Sequence, residues 1–172
     1  MRLLQQKCRS VRQKCGSVPT TMTLRIVYFL SLLFAAFALV PAGAHLAELA
    51  NKMNLGATEY QTVQQIYRGW ELFGVVVVGA LASTLALAIG LRGHPRAFTP
   101  ALVAFFCIVG TQVVFWTFTF PVNRMTTNWT VLPDNWAELR IRWEYSHAAS
   151  AGLNAAALIA LIMSLLRYQP VR

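Results

Sequence analysis

The stretch WELFGVVVVGALASTLALAIGL, residues 70–91, carries one charged side chain, Glu71, and that at its edge. A soluble surface helix needs a polar face, and this run has none. It is long enough to cross the hydrocarbon core of a bilayer, which takes about 20 largely apolar residues. Three more stretches of the same kind lie at 24–46, 100–120 and 147–166. The fold expected is therefore all-α: an integral membrane four-helix bundle over 24–167, with a basic, disordered tail at 1–23 and a short tail at 168–172. No room is left for a second domain.

Charge sorts the remaining segments into two sides. Arg2, Lys7, Arg9, Arg12, Lys14, Arg25, Arg92, Arg96, Arg167 and Arg172 fall in segments without an acid. Lys52, Arg68, Arg124, Arg140 and Arg142 share the other side with every acid: Glu48, Glu59, Glu71, Asp134, Glu138 and Glu144. Lys and Arg in short loops resist translocation, so both termini are expected in the cytoplasm, with the bacterial inner membrane as the expected location. The net charge of +9 reflects this topology and attraction to anionic lipid, not nucleic-acid binding. The partners expected are the bilayer and a hydrophobic small molecule; oligomeric state is not legible.

The first residues admit other readings. A basic, acid-free lead is shared with mitochondrial presequences, and Ile26 to Val40 followed by Ala42-Gly43-Ala44 has the form of a secretory signal. Cys8, Cys15 and Cys107 match no metal motif and read as free thiols.

Local signals place the helix ends. Asn51 to Thr58 reads as a loop, and Thr58 with Gln61 forms a capping box. No proline follows until Pro95, so a second helix is expected unbroken over 59–91, roughly 50 Å long. Thr99-Pro100 marks the start of the third, which ends or kinks at Pro121. Asp134 is the expected cap of a fourth helix that runs to Arg167. Helices two and four thus project beyond the bilayer on the outer side. Ala148, Gly152, Ala156 and Ala160 form a small-residue ridge expected to pack against a neighbouring helix.

The fourth helix also carries a polar stripe: Trp136, Arg140, Trp143, Glu144, His147, Ala151 and Asn154 share one face. Groups such as these are costly in a membrane unless they face the bundle interior, so the stripe is expected to line a cavity. His45 and Glu48 on the first helix, Tyr67, Glu71 and Gly74 on the second, and Gln112, Trp116, Thr119 and Asn123 on the third reach the same level. Arg140 and Glu144, one turn apart on this face, are expected to pair inside the bundle; the bland reading is an aromatic belt of Trp129, Trp136 and Trp143 with that pair at the surface. Glu144 and His147 also have the Glu-x-x-His spacing of di-iron bundles, His45 and Glu48 the reverse, and His45 with His147 could ligate a haem. The third helix supplies no carboxylate, and metal and cofactor stay open.

The sequence resembles a family of small four-helix membrane proteins, some named anthrone oxygenase-like and most of unknown function. The resemblance rests on Tyr67-Arg68-Gly69-Trp70, on Phe120-Pro121-Val122-Asn123, on Asn128-Trp129-Thr130, and most of all on the run from Asn135 through Trp136, Arg140, Trp143, Glu144 and His147 to Ala148. It covers residues 24–166. It implies oxygen addition to an activated aromatic methylene without a bound cofactor. In that chemistry His147 would be the base, oriented by Glu144, and Arg140 would hold the oxyanion. Trp136 and Trp143 would stack on a flat substrate, with Asn123, Glu71, His45 and Asn154 as further binding residues. After the histidine, where the family often has a second basic residue, this chain has Ala149, Ser150 and Ala151. Non-catalytic binding of a hydrophobic ligand or a membrane partner is the alternative, and a metal or redox role a further one.

Overall fold

The computed structural model of the chain describes residues 21–169. Most of the expected basic tail, with Cys8 and Cys15, and the last three positions lie outside the described residues. The described residues form α1 (Thr21–Lys52), α2 (Ala57–Gln64), α3 (Phe73–Gly90), α4 (Pro95–Val114), α5 (Phe120–Met125) and α6 (Trp136–Arg167), without a strand among them. Four helical stretches are long and apolar enough to cross a membrane: Met22–Lys52, Trp70–Gly90, Pro95–Met125 and Trp136–Arg167. The chain is an all-α integral membrane bundle. α1 packs on α3 and α6, and α4 packs on α6 and α3, which closes the ring of four.

Small side chains set the helix spacing at the end nearest the termini. Ala97, Ala101, Ala104 and Ile108 of α4 are fully buried, as are Ala157 and Leu161 of α6. The alanines let the two helices approach closely around Ile108 and Leu161, and in lipid that packing is what holds them. Ser164 donates to the carbonyl of Ala97 at 2.7 Å and lies 2.8 Å from the Tyr28 hydroxyl, tying α6 to both α4 and α1. Of the expected ridge, Ala160 joins this seam and the rest does not. Gly152 and Ala156 are exposed, because the buried face of α6 runs through Ala151, Asn154, Ala157 and Leu161.

Several helix ends differ from expectation. α1 continues through Pro41 to Lys52, so the loop shrinks to residues 53–56. The cap of α2 is Gly56, whose N–H donates to the Glu59 carboxylate at 3.0 Å; Thr58 and Gln61 play no part. The second helix is broken, not continuous: Gly69 sits at φ +87°, a left-handed value that ends helical geometry and suits glycine. Short 3₁₀ turns at Gln65–Tyr67 and Trp70–Leu72 flank it. α4 begins at Pro95, not Pro100, and α6 at Trp136 with Asn135, not Asp134, preceding it.

Pro121 neither ends nor simply kinks its helix. A π-helical turn, Phe115–Thr119, absorbs it and passes directly into α5. Proline has no N–H for the carbonyl of Thr117, four residues back. Arg142 of α6 supplies the donor at 2.7 Å.

Candidate functional site

The spacing of His45, Glu48 and Lys52 puts all three on one face of the last turns of α1. Lys52 is the hub. Its side chain is 3% exposed, and Nζ lies 3.1 Å from Glu48 Oε2, 3.4 Å from Glu144 Oε1 and 2.9 Å from His45 Nδ1. Glu144, 1% exposed, also accepts from the Tyr60 hydroxyl at 2.9 Å and from Gln64 Nε2 at 3.3 Å. Tyr67 donates to Glu48. Buried charges are tolerated only when paired and hydrogen-bonded, and four helical segments supply those partners here, with Glu144 Oε2 left without a hydrogen bond among the described residues. Burial, then the Glu144 charge, hold the Tyr60 phenol above its ordinary range. Burial, then the bond to Glu48, do the same for Tyr67. Both therefore stay protonated donors.

The expected Arg140–Glu144 pair is not formed. The last carbonyl of α1 and one in the loop after it claim Arg140 instead: Nη1 donates to Lys52 O at 3.3 Å and to Leu55 O at 2.7 Å. Its guanidinium lies 4.7 Å from the Trp136 ring and 5.5 Å from that of Tyr60. A cation here neutralises the negative end of the helix dipole. Arg140→Leu is therefore expected to lower stability by about 1.5–3 kcal/mol, the worth of hydrogen bonds to a charged group. Thermal unfolding in detergent checks this, and an unchanged melting temperature would contradict the assignment.

Beside the cluster is a cavity of about 680 Å³. That lies in the range of small-molecule sites. Of the expected residues, His147, His45, Trp143, Asn123, Glu71 and Asn154 line it. Arg140, Glu144 and Trp136 do not; they belong to the network behind the wall. Trp143 anchors the wall, with Nε1 donating to Asn123 Oδ1 at 2.7 Å and its ring 4.0 Å from that of His147. His45 lies under Tyr67, Trp143 and His147, with ring centroids at 4.4, 4.8 and 4.3 Å. Glu144 does not orient His147. Its Nδ1 lies 2.9 Å from the carbonyl of Trp143, one turn earlier. Trp116 is turned out, 59% exposed, because the π turn shifts the phase of the third helix and puts Phe115 in the wall.

Sequence reasoning missed Lys52, Tyr60 and Gln64, and also Arg68, the cation that does line the cavity. Lys52 had a findable signal, seven residues after His45 and four after Glu48. The rim has none. Thr127, Asn128 and Trp129 are consecutive left-handed residues at φ 48°, 54° and 61°, a conformation costing about 1–2 kcal/mol each outside glycine. The turn is held from both sides. Asn128 N–H donates to Asn123 O at 2.7 Å, Trp129 N–H to Thr126 Oγ1 at 3.0 Å, and Gln65 Nε2 to Trp129 O at 2.9 Å.

The metal readings are not assembled. Glu48 and Glu144 are committed to Lys52 and to tyrosines, and no group of three or more His, Cys, Asp or Glu with metal-binding geometry occurs among the described residues. A haem iron between His45 and His147 needs about 2 Å of metal–nitrogen bond on each side before any ring radius is added. Ring centroids 4.3 Å apart leave no such gap. Compared with known proteins, the chain matches no family model, no curated protein and no solved structure.

Proposed function

We propose that the cavity binds an apolar, ring-bearing small molecule and that His147 removes a proton from it. The observation that carries this reading is the environment of His147. A carbonyl oxygen only accepts, so the bond to Trp143 O fixes the proton on Nδ1 and leaves the basic lone pair on Nε2 of a ring that lines the cavity. Aromatic walls from Trp143, Trp70 and Phe115 suit a flat molecule, and Asn123, Asn154 and Glu71 give it polar contacts. With the family resemblance, the reaction proposed is oxygenation of an activated methylene. His147 takes one hydrogen as a proton, the carbanion reduces dioxygen, and loss of water leaves a ketone. For anthrone, one dioxygen is consumed for each anthraquinone and water formed. We place the cavity on the non-cytoplasmic side of the membrane, with both termini inside, from the charge partition.

The test uses purified protein in detergent with anthrone as probe, following oxygen uptake and quinone formation against the uncatalysed rate. Acceleration with one-to-one stoichiometry supports the reading. Quenching of tryptophan fluorescence without acceleration would favour a non-catalytic binding protein. Neither signal would remove the aromatic ligand class altogether.

A further inference from the structure

We propose that His45 is a second catalytic residue of this cavity. Lys52 and Trp143 hold the two imidazoles in opposite tautomers, so that His45 presents an N–H where His147 presents a lone pair. The assignment follows from what each partner can do. Lys52, between two carboxylates at 3.1 and 3.4 Å, is an ammonium and can only donate, so His45 Nδ1 at 2.9 Å must accept and its proton sits on Nε2. The Trp143 carbonyl can only accept, so His147 Nδ1 carries the proton and Nε2 is bare. Neither Nε2 has a hydrogen-bond partner among the described residues, both rings line the cavity, and their centroids are 4.3 Å apart.

A neighbouring donor and acceptor match a carbonyl compound with an acidic C–H next to the carbonyl or conjugated to it. His147 Nε2 takes the proton, the C–H electron pair becomes the enolate double bond, and the carbonyl π pair moves onto oxygen. The charge then consists of an imidazolium on His147 and an enolate oxygen held by His45 Nε2–H. Lys52 keeps its proton, since two carboxylates hold it, and its charge strengthens the donor. His45 thus takes the oxyanion role expected for Arg140, which is occupied at the end of α1. The chemical role rests on the proposed function; the tautomer pair does not.

Two measurements separate them. In protein with ¹⁵N-labelled histidine, long-range ¹⁵N–¹H couplings report each tautomer: His45 is expected protonated at Nε2 and His147 at Nδ1. A proton on His45 Nδ1 in the resting protein overturns the proposal. The second measurement is hydrogen–deuterium exchange at the methylene of anthrone in D₂O without oxygen, which reads proton removal alone. His45→Phe keeps an aromatic ring without the N–H and is expected to slow protein-catalysed exchange by about 10²–10³-fold, the cost of one oxyanion donor. Exchange at the wild-type rate in this variant overturns the catalytic role. If wild type does not accelerate exchange while the tautomers are as assigned, the proposed reaction falls, and with it the role of His45 in catalysis.

Discussion

Lys52→Met is expected to be the most destabilising single replacement in the distal half of the bundle, at about 3–5 kcal/mol. Methionine nearly matches the lysine stem in volume, so packing is kept and the ammonium alone is lost. Two carboxylates then lose their shared cation. Glu48, 42% exposed at its side chain, can turn to water, but Glu144 has none of its side chain exposed and cannot. Removing one member of a buried pair costs more than the pair contributes, because the survivor is left buried without its counter-charge. A double-mutant cycle isolates the effect. Glu144→Gln in the Lys52→Met background should recover much of the loss, since the amide still accepts from Tyr60 without needing a counter-charge. Thermal unfolding of wild type, both single variants and the double variant in one detergent measures this. A Lys52→Met loss under about 1 kcal/mol, with no coupling to Glu144, would place the pair in effect at a solvated surface.

Lys52 also marks where the sequence was legible and where it was not. The spans were readable because apolar runs such as 70–91 are long and nearly uncharged, and the polar face of α6 was readable from helical periodicity. Which charge pairs with which was not. Arg140 and Glu144 are one turn apart on one helix, and a local pairing is all that spacing can suggest. Yet carbonyls at the end of α1 and in the loop after it draw Arg140 away, and the same helix end delivers Lys52 to Glu144. Both outcomes depend on α1 extending to Lys52, beyond its apolar span. The breaks were hidden for a similar reason. Gly69 is a single glycine in an otherwise acceptable helix, and the π turn at Phe115–Thr119 trades one register for another around Pro121 without a sequence signal of its own. The phase of the third helix, and so the fate of Trp116, follows from that turn.

His147→Gln is expected to fold and to bind but to lose turnover by about 10²–10⁴-fold, the usual contribution of a positioned general base. Glutamine can keep the local contact, because its amide N–H can donate to the Trp143 carbonyl that now holds Nδ1. No atom of its side chain has comparable basicity near neutral pH. The replacement therefore separates a proton acceptor from a structural polar group. Anthrone quenching of tryptophan fluorescence and the melting temperature should both stay near wild type, since Trp143, Trp70 and Phe115 still form the cavity wall. Oxygen uptake and methylene exchange should fall together, because both begin with the same proton transfer. If exchange stops while oxygen uptake continues, dioxygen reacts with the bound molecule by a route that does not pass through His147. Full turnover in a folded His147→Gln protein would remove the acid–base role and leave the cavity as a binding site.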